Sequence, residues 1–205
     1  MTRYHQLLDY RRQVSAMYAS VRERGSANLE AFRLFQARRD DLFTLHPQSP
    51  LDETQRRGFH GLSYFPYDPR LRFTLELDYG MHHETFEVQL RDDGLMRLGR
   101  VAKVHMEIAG QEVALSLFWI HGYGGGFFLP FGDTTNGRST YGGGRYLLDT
   151  IKGADLGGAD GKLVLDFNYA YNPSCAYSSR WACPLAPPEN RLTVPIAAGE
   201  KAFAG

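Results

Sequence analysis

The spacing of apolar residues changes along the chain, from a helical repeat over the first 58 residues to an alternating repeat in the remainder. Residues 3–24 carry apolar side chains at helical spacing and are followed by Gly25, which predicts an amphipathic helix. A second helix is predicted to begin after a cap at Ser26 or Asn28 and to end before Pro47. We expect both helices to be packing elements, and a short helical turn to follow them.

From residue 72 onward, apolar and polar residues alternate with the period of two that is typical of half-buried strands. Strands are predicted at residues 72–79, 86–90, 102–108, 113–119, 127–131, 146–148, 163–167 and 192–196. Hairpin turns are predicted at residues 92–94 and 109–111. Because the strands are short, closely spaced and not separated by helical patterns, we predict a mainly β, α+β fold: an antiparallel β-barrel or sandwich-like body with an N-terminal helical pair.

The length of the chain, 205 residues, suits one hydrophobic core, and no linker is visible in the sequence. We therefore predict a single domain over residues 1–205. Within it, residues 1–58 are the helical segment and residues 59–201 the β-rich body.

The charge balance argues against a nucleic-acid or anionic membrane partner, because 23 basic and 23 acidic residues give a formal net charge of zero. Arginines are frequent in the first forty residues, which we interpret as a solvated helix surface. The sequence shows neither a signal peptide nor a segment of membrane-spanning length. We therefore expect a cytoplasmic protein without nucleic-acid or membrane partners, whose two cysteines are reduced thiols.

Several motifs of known chemistry fail on their spacing. The glycines at 122–126 and 142–144 do not match the G-x-G-x-x-G pattern before a helix, and turns explain them better. Residues 137–142 have one residue too many for a nucleophile elbow. The His105-Met106-Glu107 string matches half of the zinc deaminase signature, but the two cysteines are eight residues apart instead of three. We predict neither a metal nor a cofactor.

Polar and aromatic residues cluster after the strand predicted at 163–167. Asp166 and Asn168 are expected to share one face of this strand, and Tyr171 and Asn172 follow. Carboxylate, amide and flat apolar groups together are typical of a small polar ligand pocket. The alternative is that these side chains hydrogen-bond the backbone of a long loop.

A second candidate segment, residues 131–146, contains Asp133, Thr140, Tyr141 and Arg145. The planar guanidinium of Arg145 suits a carboxylate or phosphate group, although pairing with Asp133 or Asp166 inside the protein would satisfy it equally. We predict that the two segments line one pocket for a small polar or anionic molecule. The predicted ligand-binding residues are Arg145, Tyr141, Thr140, Asn168, Tyr171 and Asn172.

Two other functions remain open at this point. In an enzyme, Asp166 or Asp133 would act as the general base of hydrolase-type acid–base chemistry, and Arg145 would stabilise developing negative charge. In a structural or interaction protein, the same motifs would be folding devices. Cys175 and Cys183 have three interpretations of their own: packed thiols, a redox-sensitive pair, or a catalytic thiolate next to a cation such as Arg180.

The order of these motifs resembles a known family. The strings are FGDTTNG at 131–137, TYGGGRYL at 140–147, DFN at 166–168, AYNP at 170–173, CAY at 175–177, CP at 183–184, PPENRL at 187–192 and AGEK at 198–201. They are similar to the bacterial and archaeal family known as domain of unknown function 1684, and the resemblance extends from about Phe43 to Lys201. One departure is Ala186, where the family more often has proline.

The resemblance implies a set of candidate site residues but no activity. The motif residues of the family correspond here to Asp133, Thr140, Tyr141, Arg145, Tyr146, Asp166, Asn168, Tyr171, Asn172, Cys175, Cys183, Glu189, Asn190 and Glu200.

Overall fold

The structure is a computed structural model that describes residues 2–90 and 94–204. It begins with two long helices, α1 (Arg3–Arg24) and α2 (Leu29–Leu45), and a short one, α3 (Glu53–Arg57). The cap of α2 is Asn28, whose side chain accepts a hydrogen bond from the backbone N–H of Glu30. Gly25 ends α1 with a positive φ of 80°. The predicted helical pair is confirmed.

Eight strands within the described residues form two antiparallel sheets. Their bounds are β1 (Arg72–Glu76), β2 (Glu84–Gln89), β3 (Leu95–Ile108), β4 (Gln111–Ile120), β5 (Gly126–Phe131), β6 (Arg145–Asp149), β7 (Gly158–Ala159) and β8 (Lys162–Asp166). The larger sheet has the order β2-β3-β4-β5-β6, so each strand pairs with its neighbour in sequence. The smaller sheet has the order β1-β8-β7 and joins distant parts of the chain.

The sheets pack around two hydrophobic cores. One core lies between the larger and smaller sheets and contains Val104, Leu117, Phe131 and Leu165, together with Ile196 from the C-terminal segment. The other lies between the larger sheet and the two long helices. The predicted mainly β, α+β fold is confirmed. Among the strands of the described residues neither sheet closes into a barrel, so of the two predicted forms the sandwich-like one is found.

The turn between β3 and β4 agrees with the prediction, because Ala109 and Gly110 both have positive φ, as a two-residue hairpin requires. Of the hairpin predicted at residues 92–94, Asp92 and Asp93 lie outside the described residues.

The strand predicted at residues 192–196 is wrong, although every second side chain there is buried as predicted. Pro195 has no N–H to donate to a sheet. The N–H of Ile196 donates instead to the Asp133 side chain, and the Ile196 carbonyl accepts from Arg145. At Ile196, side chains therefore take the place of a neighbouring strand, whereas Leu192 donates to the backbone carbonyl of Gly132.

In the described residues, none of the helices combines the length and the apolar character needed to span a lipid bilayer.

Candidate functional site

Arg145 begins β6 and is completely buried; Nη1 and Nη2 donate to protein groups, whereas Nε has no hydrogen-bond partner among the described residues. Its Nη2 donates to Asp133 Oδ2 at 3.0 Å and to the carbonyl of Ile196 at 2.9 Å. Its Nη1 donates to the carbonyls of Ala198 and Glu200. Burial lowers the pKa of Arg145, against the opposing attraction of the Asp133 carboxylate. Of the two internal partners considered for Arg145, the structure selects Asp133.

Two glycines of the family motifs let the backbone approach Arg145. Gly144 has a φ of +90°, and a Cβ there would lie 2.5 Å from the carbonyl oxygen of Phe131. Gly199 has a φ of +74°, and a Cβ there would lie 2.6 Å from the carbonyl oxygen of Ala170. The carbonyls on either side of Gly199, those of Ala198 and Glu200, are the ones that accept from Arg145.

Asp133 is held as firmly as its partner. Its Oδ1 accepts from the backbone N–H and the hydroxyl of Thr135, at 2.8 and 2.6 Å, and from the N–H of Ile196 at 3.2 Å. Thr140 joins this cluster, since its buried hydroxyl lies 2.7 Å from that of Thr135 and accepts from Asn136 Nδ2. Asp133 and Thr140 therefore connect residues 131–146 to the C-terminal segment.

Asp166 and Asn168 form a second buried cluster, but they do not share a strand face as predicted, because β8 ends at Asp166 and Asn168 lies in the 3₁₀ turn Phe167–Tyr169 that Asp166 caps. Asn168 donates to Asp166 Oδ1 from its backbone N–H at 3.0 Å and from its side chain at 2.7 Å. The Asn168 side chain also exchanges hydrogen bonds with the backbone N–H and carbonyl of Asp68. The cationic side chain that acts on Asp166 is Arg72, its partner across the β1–β8 pairing. Arg145 and Asp166 thus have different partners.

Burial raises the pKa of Asp166 from its ordinary value of 3.8 to about 6, because the hydrogen bonds from Asn168 and the charge of Arg72 offset only part of the desolvation. Between pH 4 and pH 6 the folded protein therefore binds more protons here than the unfolded chain does. The free energy of unfolding should fall as pH rises through this window, by about 3 kcal/mol at 1.36 kcal/mol per pH unit.

The variant Asp166→Asn mimics the protonated carboxyl and should remove this pH dependence. We expect the free energy of unfolding of the variant, minus that of the parent protein, to be higher at pH 7.5 than at pH 4. The change in this difference between the two pH values should approach about 3 kcal/mol. Urea unfolding at both pH values measures the difference, with Asp41→Asn as the control for loss of an exposed carboxylate. If the free energies of unfolding of the variant and the parent protein differed by the same amount at both pH values, the raised pKa of Asp166 would be contradicted.

A third cluster surrounds Glu200, which is buried and accepts from four groups. Its side chain pairs with Arg39 of α2 and accepts from the hydroxyls of Tyr177 and Tyr64, at 2.6 and 3.2 Å. The fourth donor is the backbone N–H of Asn172, at 2.7 Å. Tyr171 and Asn172, both predicted to bind a ligand, lie here, and the Tyr171 ring centroid is 5.0 Å from the Arg39 guanidinium carbon.

Arg39 was missed by the sequence analysis, which interpreted the arginines of this segment as a solvated surface. A signal was present, because Arg39 lies midway between Phe35 and Phe43 at intervals of four residues, on the buried stripe of α2. An arginine in that position needs an internal partner, and Glu200 supplies it.

Tyr141, Cys175 and Cys183 line an open groove of about 560 Å³, which the other predicted ligand-binding residues do not reach. Its walls come from three parts of the chain: residues 88–90 at the end of β2, Tyr141 after the Asp133 loop, and residues 175–187. The described lining residues are Val88, Gln89, Leu90, Tyr141, Cys175, Ser179, Trp181, Ala182, Cys183, Leu185 and Pro187.

The two cysteines are not joined by a disulfide but contact each other. The backbone N–H of Cys175 donates to Cys183 Sγ at 3.3 Å, and the Tyr141 hydroxyl donates to Cys175 Sγ at 3.7 Å. The hydrogen bond to the Cys175 side chain, together with burial, raises the pKa of Cys183. Within the described residues, no group of three or more His, Cys, Asp or Glu side chains is placed to hold a metal ion.

Comparison with protein-family models identifies the β-rich body. The model described as protein of unknown function (DUF1684) matches residues 57–201. The chain belongs to this family. The match confirms the resemblance seen in the sequence motifs and covers the Arg145, Asp166 and groove residues, whereas α1 and α2 lie outside it.

A solved structure is similar to this DUF1684 protein over most of its length. It is the solution NMR structure of the uncharacterized protein from gene locus rrnAC0354 of Haloarcula marismortui. The two sequences are 33% identical, the match covers 84% of this chain and 93% of that one, and the TM-score is 0.59. A search of curated proteins gave no significant match.

Proposed function

We propose that this DUF1684 protein binds a small uncharged molecule with a flat apolar part in the groove between residues 88–90, Tyr141 and residues 175–187. The observation that carries the proposal is the convergence of two aromatic side chains, Tyr141 and Trp181, with two thiols on a concave surface of about 560 Å³. Ligand sites are commonly concave and apolar, with a few polar groups to orient the ligand.

The position of the groove supports this choice over a depression of similar size between the two long helices. That depression, of about 590 Å³, lies between α1 and α2 and is lined by residues between Asp9 and Pro47, which the DUF1684 match does not include. All the described lining residues of the groove fall inside the match. A function shared by the family is therefore better placed in the groove than between α1 and α2.

Hydrogen bonds anchor the wall of the groove formed by residues 175–187 to other parts of the protein. Arg180 Nη2 donates to the Ser49 carbonyl at 2.6 Å, and the Tyr146 hydroxyl donates to the Pro184 carbonyl at 2.6 Å. Trp181 Nε1 donates to the Pro50 carbonyl at 3.3 Å. An anchored wall reduces the entropy that binding would otherwise cost.

Anion binding at Arg145 and acid–base catalysis at Asp133 or Asp166 remain predictions. An anion at Arg145 would have to displace Asp133 from a buried pair, and acid–base catalysis at Asp133 or Asp166 would require a substrate to reach side chains that the fold encloses. The groove requires neither change. For that reason we place the ligand beside Tyr141 instead of beside Arg145.

A second candidate, a structural or interaction protein whose motifs are folding devices, is favoured by the contacts of the buried polar residues. Asn190, for example, donates from Nδ2 to the carbonyls of Ser116 and Pro130, and its Oδ1 accepts from the N–H of Ser116. These bonds fasten the loop after the groove to β4 and β5. On this hypothesis the groove would bind nothing.

An NMR titration of the ¹⁵N-labelled protein tests the groove directly. Indole and benzamide are neutral aromatic probes, and benzoate is the charged analogue of benzamide. We expect a neutral probe to shift the Trp181 indole N–H and the backbone amides of residues 175–187. Trp181→Ala should raise the Kd about tenfold, or ~1.4 kcal/mol, by removing an aromatic face.

Two further variants separate binding from general effects. Leu185→Ser changes a groove wall without removing a hydrogen bond and should also weaken binding. Tyr123→Ala removes a fully exposed aromatic ring elsewhere and should leave the Kd unchanged. Shifts outside the groove, or equal affinities for the Trp181→Ala and Tyr123→Ala proteins, would refute the assignment and favour the second candidate.

A further inference from the structure

Cys175 and Cys183 are in contact with each other. Cys175 lies in a short 3₁₀ turn, Ser174–Ala176. The Sγ atom of Cys183 is 3.3 Å from the backbone nitrogen of Cys175. The Cys183 thiol also hydrogen-bonds to the Cys175 side chain. A disulfide needs sulfur atoms about 2.05 Å apart on Cα atoms about 4.4–6.8 Å apart. The contact of Cys183 Sγ with the Cys175 backbone places the two cysteines side by side in the groove, as a bond between them requires.

The thiols are also accessible to a small oxidant. Both cysteines are only partly buried, and both line the groove of about 560 Å³ that opens to solvent. A hydroperoxide is small enough to enter such a space. Oxidation of cysteine depends on exposure and on thiolate character, and the first condition is met here.

The surroundings of the two sulfurs differ. Cys175 Sγ accepts from the Tyr141 hydroxyl at 3.7 Å, and Cys183 Sγ accepts from the backbone N–H of Cys175 at 3.3 Å. The hydrogen bond with the Cys175 side chain, together with partial burial, raises the pKa of Cys183. We therefore assign the first attack to Cys175 and the second to Cys183.

We propose that Cys175 and Cys183 form a redox-active dithiol that reacts with a hydroperoxide and closes to an intramolecular disulfide. The Cys175 thiolate attacks the terminal oxygen of the hydroperoxide, the O–O bond breaks, and the alcohol (or water, from hydrogen peroxide) leaves with one proton. Cys175 is then a sulfenic acid. Cys183 attacks its sulfur, the S–S bond forms, and the hydroxyl leaves as water with the proton of Cys183. Two thiols lose two electrons and two protons, and the hydroperoxide is reduced.

This inference does not depend on the groove binding the ligand proposed above. Its readout is the mass and the thiol count of the protein, with no aromatic probe present. A protein that binds indole but is not oxidised at this pair would sustain the ligand proposal and refute the redox-active dithiol. A protein that is oxidised at this pair but binds no aromatic probe would sustain the dithiol and refute the ligand proposal.

The test uses the full chain, reduced with dithiothreitol, desalted and exposed to a small excess of hydrogen peroxide at pH 7. Intact-mass spectrometry should show the loss of two hydrogen atoms, with both thiols protected from N-ethylmaleimide and with reversal by dithiothreitol. Peptide mapping should place the bond between Cys175 and Cys183. Tyr141→Phe should slow the reaction about threefold to tenfold, as expected for loss of one hydrogen bond to the reacting sulfur.

The single-cysteine variants test the assigned roles. Cys183→Ser should stop at a sulfenic acid on Cys175, which dimedone captures, whereas Cys175→Ser should give little adduct on Cys183. Retention of both reactive thiols after peroxide treatment, or disulfides only between two molecules, would overturn the proposal. Dimedone capture on Cys183 but not on Cys175 would overturn the order of the reaction.

Discussion

An Arg145→Met variant is expected to have a free energy of unfolding about 3–5 kcal/mol lower than the parent protein, a large fraction of the stability of an ordinary domain. The substitution leaves the Asp133 carboxylate buried without its charge partner. It also removes the donor for the carbonyls of Ile196, Ala198 and Glu200. Leaving a buried carboxylate uncompensated costs more than an exposed ion pair gains, which is why the effect should be large.

Urea unfolding followed by tryptophan fluorescence measures this loss, and two variants sharpen its interpretation. Arg145→Lys keeps the charge but not the planar fork, so it should fall between the parent and Arg145→Met. Arg70→Met breaks an ion pair at the surface, between Arg70 and Asp68, and should change stability little. If Arg145→Met were no less stable than Arg70→Met, the buried pair would not hold the C-terminal segment as argued.

The double variant Asp133→Asn, Arg145→Met adds a measure of coupling. Because the two side chains are in contact, the double variant should lose less stability than the sum of the two single variants, with an interaction of about 0.5–3 kcal/mol. Purely additive losses would indicate that each residue acts through other neighbours.

The elements that repeat a local pattern could be predicted from the sequence. The helical spacing in residues 3–24 gave α1 within its observed bounds, and the alternation in residues 113–119 gave the body of β4. Residues 192–196 show the limit of this approach. Their alternation reports burial of every second side chain, but a strand also needs a hydrogen-bonded neighbour, and here Asp133 and Arg145 take that place.

Contacts between distant residues were only partly predictable. Asp166 and Asn168 are two residues apart, so their contact follows from local geometry. Arg145 had two candidate carboxylates, and only the folding of the C-terminal segment around the Arg145–Asp133 pair distinguishes them. The pairing of β1 with β8 spans about ninety residues, and periodicity contains no information about which strands meet.

The groove was the hardest feature to foresee, for the same reason. Its thiols and Tyr141 belong to recognisable motifs, but the wall at Val88–Leu90 comes from the end of a different hairpin. Arg145 and Asp166, on which the predicted pocket depended, are instead buried within the fold. Of the candidate motif residues, only Tyr141, Cys175 and Cys183 line the groove.

A Glu200→Gln variant should lower the free energy of unfolding by an amount similar to that of Arg145→Met, about 3–5 kcal/mol, because it leaves the Arg39 cation buried and uncompensated. The amide has almost the same shape as the carboxylate, so the loss reports charge and hydrogen bonding instead of volume. One oxygen of the side chain becomes an NH₂ group that cannot accept. One or more of the donors Tyr64, Tyr177 and the Asn172 N–H then lose their acceptor.

The part of the protein that is destabilised should differ between the Glu200 cluster and the Arg145 cluster. Arg39 belongs to α2, which lies outside the family match, whereas Glu200 belongs to the last motif within it. The Arg39–Glu200 pair thus fastens the N-terminal helices to the β-rich body. Weakening it should raise the local opening of α2 more than that of β3 and β4, which are held by their own ladder of hydrogen bonds.

Hydrogen exchange of the backbone amides, read by mass spectrometry, tests this directly. Glu200→Gln and Arg39→Met should both accelerate exchange in Leu29–Leu45 while peptides of β3 and β4 stay close to the parent rates. Glu30→Gln, at the exposed first turn of α2, is the control for loss of a carboxylate that lacks a buried cation. Faster exchange spread evenly over helices and sheets would mean that Glu200 stabilises the whole fold at once, and that the helical pair has no separate attachment at this point.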